Sequence, residues 1–278
     1  MKILLTGAAG MLGRDLHATL EGRHTLIPFA KSDLDIGDFG QVCRAVDANQ
    51  PDLVINCAAF TDVDGCEGER DLAFRVNALG ARHVAVAAER AGAAVLHVST
   101  DYVFDGKGSV PYLEFDPTGP ATEYGHSKLA GEEAIRAHNP RHYIVRTAWL
   151  YGASGRNFVA TIQRLAVERE RLTVVDDQIG NPTWTVDLSG AIAQLIDTGS
   201  YGTYHATNEG ECSWYEFACE ILRLRGLKTP VAPVTSAEFP RPAPRPAFSA
   251  LNNFGLAVLG IHMRPWQEAV AEFLALPG

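Results

Sequence analysis

The regular alternation of short apolar runs with helical patterns constrains the fold of this chain more than any other feature. The apolar runs predict buried strands over Ile3–Thr6, Thr25–Phe29, Leu53–Cys57, Ala94–Ser99 and Tyr143–Thr147. The helical patterns between them cover Met11–Leu20, Gly40–Ala48, Arg70–Ala91 and Tyr124–Ala137. Because strands alternate with helices and such crossovers are right-handed, we predict an α/β fold with a doubly wound parallel sheet.

The alternation weakens after Trp149, where the helical patterns are separated by shorter apolar runs and by a segment rich in proline. The helices are predicted over Phe158–Glu168, Val186–Asp197, Trp214–Leu224 and Gln267–Leu274, and the apolar runs are Leu172–Val175 and Tyr204–Ala206. Residues 228–246 contain six prolines and predict an ordered, loop-rich segment. We expect residues 1–150 to form a dinucleotide-binding domain, which later segments can complete, and residues 151–278 to form mainly a smaller α/β substrate-binding lobe.

The composition excludes several other classes of protein. The 278 residues carry a net charge of −9, which disfavours nucleic-acid binding. The sequence has no apolar run of transmembrane length, and its N-terminus reaches glycine too early for a secretory signal. The five cysteines fit neither a zinc site nor a disulfide framework, so we expect reduced thiols in a cytoplasmic protein without membrane contact.

A glycine-rich loop follows the first predicted strand. It reads Gly7-Ala8-Ala9-Gly10-Met11-Leu12-Gly13 and leads directly into a helix. Gly7 permits the turn, Gly10 lets the backbone approach a diphosphate, and Gly13 lets the helix pack closely on the sheet. The helix N-terminus at Met11 and Leu12 then offers free N–H groups to phosphates. An ordinary turn between strand and helix could share this spacing, but its place on the first strand favours a dinucleotide site of Rossmann type.

The end of the second predicted strand indicates which dinucleotide is bound. An acidic residue there would hold the ribose 2′-hydroxyl of NAD. Lys31 and Ser32 stand there instead, and they suit the 2′-phosphate of NADPH, although Lys31 could also be an ordinary surface lysine. Asp35 and Ile36 follow where an adenine could be read and covered. We expect NADPH as the cofactor, with NADH left open.

Tyr124 and Lys128 open a predicted helix at a spacing of four residues, which places both on one face about 6 Å apart along the axis. An ammonium group near a phenol lowers the pKa of the phenol, so we expect Tyr124 to exchange protons near neutral pH. A tyrosine–lysine pair at this spacing is also common on helix surfaces. The pair indicates an active site more specifically when it is taken together with Thr100. Thr100 ends a predicted strand at the edge of the sheet where ligands bind. Thr100 is therefore expected to hold a carbonyl oxygen beside Tyr124.

These motifs resemble those of the extended short-chain dehydrogenases/reductases, and within them the dTDP-4-dehydrorhamnose reductase family. The superfamily carries G-x-x-G-x-x-G, Ser/Thr and Y-x-x-x-K in this order. The narrower family is indicated by blocks at 99–106, 146–152, 177–183, 212–217 and 245–246. The resemblance spans nearly the whole chain.

The resemblance implies reduction of a 4-keto-6-deoxy sugar carried on dTDP. Tyr124 would donate the proton, Lys128 would hold the nicotinamide ribose, and Thr100 would polarise the carbonyl. The family positions that face the cofactor match Ala58, Ala59 and Thr61, and those that face the sugar match Val63, Tyr102 and Trp149. Trp149 could instead be a core aromatic. The family also implies that a homodimer can form.

Three further positions complete these expectations. Arg245, in the proline-rich loop, suits the substrate diphosphate, or it is a solvated loop arginine. Asn77 matches a family helix asparagine, and we expect it to bond the neighbouring strand end and not a ligand. Only Asp15 matches the metal-linked dimer contact of some members, so we predict no metal site.

Other readings of the same motifs stay open. A 4,6-dehydratase needs a second carboxylate where this chain has Tyr102. A reductase or an epimerase acting on another nucleotide-linked 4-keto sugar would carry the same central motifs. A non-catalytic regulatory subunit, resembling that of methionine adenosyltransferase, would bind the cofactor for structure alone.

Overall fold

The structure of the protein, a computed structural model, describes residues 1–276. The strands are β1 (Lys2–Thr6), β2 (Thr25–Phe29), β3 (Leu53–Asn56), β4 (Ala94–Thr100), β5 (His142–Thr147), β6 (Leu150–Tyr151), β7 (Leu172–Val175), β8 (Ile179–Gly180), β9 (Thr183–Trp184), β10 (Gly202–His205), β11 (Cys212–Ser213) and β12 (Val231–Val234). The α-helices are α1 (Met11–Leu20), α2 (Phe39–Asn49), α3 (Val63–Gly68), α4 (Arg70–Phe74), α5 (Ala81–Arg90), α6 (Glu123–His138), α7 (Phe158–Glu168), α8 (Thr185–Thr198), α9 (Trp214–Leu224), α10 (Phe254–Val258) and α11 (Trp266–Ala275).

The central element of the fold is a parallel sheet of six strands in the order β10-β5-β4-β3-β1-β2. Helices cover both faces, so the strand side chains are buried on both sides. Leu16 of α1 and Ile192 of α8 pack on one face, whereas Val42 of α2 and Val84 of α5 pack on the other. The predicted doubly wound sheet is confirmed. The strand order reverses between β1 and β3, and a ligand crevice is expected beyond the carboxyl ends of such strands.

One strand of this sheet comes from the second half of the chain. β10 pairs in parallel with β5, with Tyr204 opposite Val145. The sequence indicates an apolar run here but not its place, because strand pairing over such a separation leaves no local signal. A separate apolar core lies within residues 149–274 and includes Tyr151, Phe217 and Trp266.

The predicted helix over Arg70–Ala91 is not uniform. It consists of α4, a π-helical segment over Arg75–Gly80, and α5. Asn77 lies in this π-helical segment, where its side chain donates to the Phe60 carbonyl at 3.0 Å and accepts from the Phe60 N–H at 2.8 Å. Asn77 therefore holds the segment after β3, as expected from the sequence.

No helix within residues 1–276 combines the length and the apolar character needed to cross a membrane.

Candidate active site

A cleft of about 760 Å³ lies beyond the carboxyl ends of β1, β3 and β4. It contains both the glycine loop and the tyrosine–lysine pair, which are far apart in sequence. Of the residues named as candidates for the cofactor and the substrate, Ser32 and Arg245 do not line it, and the others do: Gly7, Gly10, Met11, Leu12, Gly13, Lys31, Asp35, Ile36, Ala58, Ala59, Thr61, Val63, Thr100, Tyr102, Tyr124, Lys128 and Trp149. The fold therefore brings the predicted cofactor and sugar contacts into one cavity.

The glycine loop leaves backbone N–H groups available at one end of the cleft. Gly7 has a φ of +68°, which a side chain would strain, and a Cβ on Gly13 would collide with the Gly7 carbonyl oxygen. Gly10 is the N-cap of α1, and no side chain within residues 1–276 caps this helix end. The unpaired N–H groups and the positive end of the helix dipole fit the diphosphate of a dinucleotide.

Lys31 and Asp35 lie on the same side of the cleft, beyond the end of β2. The Asp35 carboxylate accepts from the Gly37 N–H at 2.9 Å and lies 3.7 Å from the Arg75 guanidinium. The Lys31 ammonium makes no hydrogen bond or ion pair within residues 1–276. The Lys31 ammonium therefore fits the 2′-phosphate of NADPH, and the nearby Asp35 carboxylate, held by Gly37 and Arg75, fits the adenosine.

Lys128 is fixed at the other end of the cleft, on the same face of α6 as Tyr124. Its Nζ donates to the Val98 carbonyl at 2.6 Å and lies 3.3 Å from His97 Nε2. Burial lowers the pKa of Lys128 to about 8, although the Glu132 carboxylate on the next turn opposes this change. The ammonium is thus held in place, with its charge close to titration at neutral pH.

A buried chain of polar side chains crosses three strands of the sheet and reaches Lys128. His97 Nδ1 lies 3.0 Å from Asn56 Nδ2, and the Thr6 hydroxyl donates to Asn56 Oδ1 at 2.6 Å. Burial, and then the charge of Lys128, lowers the pKa of His97, so its ring is neutral. The chain joins β1, β3 and β4 and ends beside Lys128, whose ammonium is held by the Val98 carbonyl.

Tyr124 is more weakly acidic than the sequence predicts. Burial raises the pKa of Tyr124, the neighbouring Thr100 hydroxyl opposes the rise, and the charge of Asp101 adds to it. The expectation that Lys128 would lower this pKa toward neutrality is wrong for the structure, because loss of water costs the phenolate more than its neighbours return. Tyr124 therefore stays protonated at neutral pH, which suits a group that donates a proton.

Thr100 ends β4 beside Tyr124, but its hydroxyl is already engaged. It donates to Asp101 Oδ1 at 2.9 Å and accepts from the Tyr102 N–H at 3.2 Å. Burial raises the pKa of Asp101 to about 6, against the hydrogen bonds from Ser249 and Thr100. While Thr100 donates its one proton to Asp101, it cannot also donate that proton to a substrate carbonyl, so its predicted role depends on Asp101.

Trp149 lines the cleft and stacks on Trp214. The two rings lie 3.5 Å apart between centroids and 6° from parallel. Trp149 has a φ of +47°, a conformation that costs a side-chain-bearing residue free energy and is typical of functional sites. Trp214 belongs to a motif that supports the family resemblance, but the sequence analysis did not place it in the site. Phe60 and Arg156 also line the cleft and were missed, because nothing in their local sequence marks them.

Arg245 does not line the cleft. Its guanidinium lies 3.0 Å from the Asp64 carboxylate and donates to the Ala243 carbonyl at 3.1 Å. Arg245 and Asp64 both act on the pKa of Tyr102, so the pair lies close to the sugar end of the cleft. Asp15, the other position considered, accepts from the Thr185 hydroxyl.

Comparison with known proteins agrees with this geometry. The model of the family described as RmlD substrate binding domain matches residues 1–276. A dTDP-4-dehydrorhamnose reductase from Streptomyces griseus is 46% identical, over 99% of this chain and 94% of that protein. The spore coat polysaccharide biosynthesis protein SpsK from Bacillus subtilis is 45% identical, over 98% of this chain and 96% of that protein.

A solved structure is similar in both fold and sequence. The dTDP-4-dehydrorhamnose reductase from Bacillus anthracis, in complex with NADP, superposes with a TM-score of 0.96 at 44% identity. The match covers 98% of each chain. At this identity and coverage, and with the family model matching almost every residue, the chain belongs to the RmlD substrate-binding family.

Proposed function

We propose that this protein reduces the 4-keto group of dTDP-4-dehydro-L-rhamnose to give dTDP-L-rhamnose, with NADPH as the reductant. One observation carries the proposal: Tyr124 and a fixed Lys128 share a cleft with an uncapped glycine loop. The name and the NADP complex of full-length relatives support the same substrate and cofactor.

Tyr124 is the proton donor of the proposed reaction. When bound, NADPH supplies the hydride that C4 of the sugar receives. Tyr124 donates its proton to the carbonyl oxygen, where negative charge develops. An alkoxide is a stronger base than a phenolate, so a phenol with a raised pKa still transfers its proton downhill.

The cofactor residues divide by the part of the dinucleotide that they suit. Gly7, Gly10 and Gly13, with the N–H groups of Met11 and Leu12, bind the diphosphate. Lys31 binds the 2′-phosphate, whereas Asp35 and Ile36 contact the adenosine. Ala58, Ala59 and Thr61 lie along the nicotinamide half, where Lys128 holds the ribose. NADPH is proposed over NADH because a lysine, not a carboxylate, follows β2.

The sugar and its nucleotide are proposed to lie between the sheet and the C-terminal half of the chain. Val63, Thr100 and Tyr102 contact the sugar from the sheet side, and Trp149 covers it from the other. Arg245 remains our proposed partner of the diphosphate, and Arg156 adds a second cation. The two domains divide accordingly: residues 1–150, completed by α8 and β10, form the cofactor side, and the remaining segments after residue 150 form mainly the substrate lobe.

Two properties of the whole protein are also proposed. The five cysteines are all unpaired, which suits the reducing cytoplasm. A homodimer is proposed from the family resemblance alone.

The proposal is tested by NADPH oxidation with purified protein, with and without dTDP-4-dehydro-L-rhamnose, and NMR of the product. Oxidation that requires the substrate and gives dTDP-L-rhamnose is expected. Turnover only with a different nucleotide-linked 4-keto sugar would assign a related reductase. Interconversion of sugars without net NADPH consumption would assign an epimerase. Tight cofactor binding without turnover of any such sugar would contradict the enzymatic proposal and favour a regulatory subunit.

A further inference from the structure

We propose that Asp101 acts as a switch on Thr100: its protonation state decides whether the Thr100 hydroxyl can donate a hydrogen bond into the cleft. Asp101 itself does not line the cleft, so it is a positioning residue and not a catalytic one. The inference rests on the proposed keto-sugar reduction, because it concerns the group that faces the reacting carbonyl.

Asp101 is held between two hydroxyl groups. Asp101 is only 2% exposed, and it directly follows Thr100, the last residue of β4. Oδ1 accepts from the Thr100 hydroxyl at 2.9 Å, and Oδ2 accepts from the Ser249 hydroxyl at 2.6 Å. Each carboxylate oxygen thus accepts a hydrogen bond from one hydroxyl group. One hydroxyl comes from the sheet and the other from the loop that follows Arg245.

A count of protons then limits what Thr100 can do. A threonine hydroxyl has one proton and two lone pairs. In the structure the proton points to Asp101, and one lone pair accepts from the Tyr102 N–H at 3.2 Å. Only the second lone pair remains for the neighbouring Tyr124 hydroxyl or for a ligand, so this form of Thr100 can accept a further hydrogen bond but cannot donate one to a carbonyl oxygen.

Protonation of Asp101 reverses this direction. A proton taken from water onto Oδ1 turns the carboxylate into a donor toward the Thr100 oxygen. The Thr100 proton is then free to rotate toward the cleft, where it can donate to the carbonyl oxygen beside Tyr124. No covalent bond to carbon forms or breaks in this step, and the proton returns to water when Asp101 ionises again.

The surroundings of Asp101 place this change near neutral pH. Burial raises its pKa to about 6, and the hydrogen bonds from Ser249 and Thr100 limit the rise. The titratable groups that face it are Tyr102 on its own segment and Tyr124 on α6, and both are neutral at this pH. The loop side contributes the Ser249 hydroxyl, and Arg245 and Asp64 lie beyond Tyr102 as a pair of opposite charge.

The test compares pH profiles of kcat/KM between pH 5 and 8.5 for the wild type and three variants. The wild type should lose activity as pH rises through a pKa near 6, approaching tenfold per pH unit. Asp101→Asn should lack this decline, because an amide N–H can donate to the Thr100 oxygen at every pH. Ser249→Ala should move the decline to higher pH, because it removes a hydrogen bond that stabilises the carboxylate.

Asp105→Asn is the matched control. Asp105 lies in the same segment, and its carboxylate accepts from the Tyr112 hydroxyl at 2.7 Å, away from Thr100. Its profile should keep the wild-type decline. A merely structural role for Asp101 would lower kcat equally at all pH values and leave the shape of the profile unchanged.

An independent readout does not need activity. Infrared difference spectra between pH 5 and 8 should show a buried carboxylic acid band that titrates in the wild type and is absent in Asp101→Asn. If Asp101→Asn fails to fold, the fall of kcat/KM with pH in Ser249→Ala, shifted to higher pH, tests the proposal.

The outcomes separate the inference from the proposed function. Wild-type protein that never oxidises NADPH with a keto sugar would contradict the function. Wild-type turnover without the decline, or with the same decline in Asp101→Asn, would overturn the inference while the function stands.

Discussion

The two ends of the cleft are built in different ways. At the glycine end, Gly7, Gly10 and Gly13 leave the uncapped N-terminus of α1 open to the cleft, and the requirement is that side chains be absent. The polar end is defined by Thr100, Tyr124, Lys128 and the buried groups that contact them. There, buried polar side chains are held by specific partners. Sterics therefore controls one end, and the balance between desolvation and hydrogen bonding controls the other.

The difference determines how each end should respond to mutation. The glycine end should fail when atoms are added. The polar end should fail when a charge loses its partner, and its behaviour should depend on pH. Four substitutions test this contrast, three of them against a control variant and Asp101→Asn against the wild type across a range of pH.

The largest loss of stability is expected from Glu132→Gln. Glu132 is 0% exposed and accepts from the Arg146 guanidinium at 2.8 and 2.9 Å. Removing one partner of a buried ion pair leaves the other unpaired, at a cost of about 3–5 kcal/mol. Urea denaturation measures the change, with the exposed neighbour Glu133→Gln expected within about 0.5 kcal/mol of wild type. A loss below about 1 kcal/mol for Glu132→Gln would contradict the polar-end account.

The next effect is the pH dependence of stability caused by Asp101. Its pKa is raised from 3.8 to about 6 in the folded protein. Between these values the folded chain holds a proton that the unfolded chain has lost, so wild-type stability falls as pH rises through this window. Relative to wild type, Asp101→Asn should therefore gain up to about 3 kcal/mol between pH 4 and 7. Parallel stability curves for the two proteins across this range would exclude a raised pKa.

A smaller loss is expected when a methyl group is added at the glycine end. Gly13→Ala forces a Cβ against the Gly7 carbonyl and should destabilise by about 1–3 kcal/mol and weaken NADPH binding. Gly190→Ala is the control, because Gly190 lies inside α8 with open space around its Cβ position. This second change should stabilise by about 0.5–1 kcal/mol. Thermal unfolding and NADPH titration check both, and equal effects would remove the steric explanation.

The smallest effect is expected from Lys31→Ala. An exposed lysine on a phosphate contributes about 1 kcal/mol, so the Kd for NADPH should rise about fivefold while that for NADH hardly changes. Lys228→Ala, an exposed lysine outside the cleft, should change neither value. Fluorescence titration with both cofactors measures this. An equal loss for NADPH and NADH would show that Lys31 does not contact the 2′-phosphate.

The same contrast explains what the sequence could predict. The doubly wound sheet and the glycine loop follow from local patterns, since periodicity and glycine spacing are written in adjacent residues. The positions of Thr100, Tyr124 and Lys128 could also be predicted, because strand ends and helix faces are local features. All three line the cleft.

The parts that could not be predicted depend on distant residues. β10 joins the sheet beside β5, and Trp214 stacks on Trp149 although the two are distant in sequence. The acidity of Tyr124 depends on burial, and the donor direction of Thr100 depends on Asp101, neither of which is visible in spacing. Arg245, in a loop, pairs with Asp64 of α3, a contact that no local motif predicts.

The central claim, that Tyr124 is the proton donor of a keto-sugar reductase, is tested most directly by Tyr124→Phe. NADPH affinity and single-turnover oxidation should be measured on the same preparation with dTDP-4-dehydro-L-rhamnose. We expect NADPH to bind with unchanged affinity and the rate of oxidation to fall by ~10²–10⁴, because only the donated proton is lost. A rate within about threefold of wild type, well short of that loss, would contradict the account.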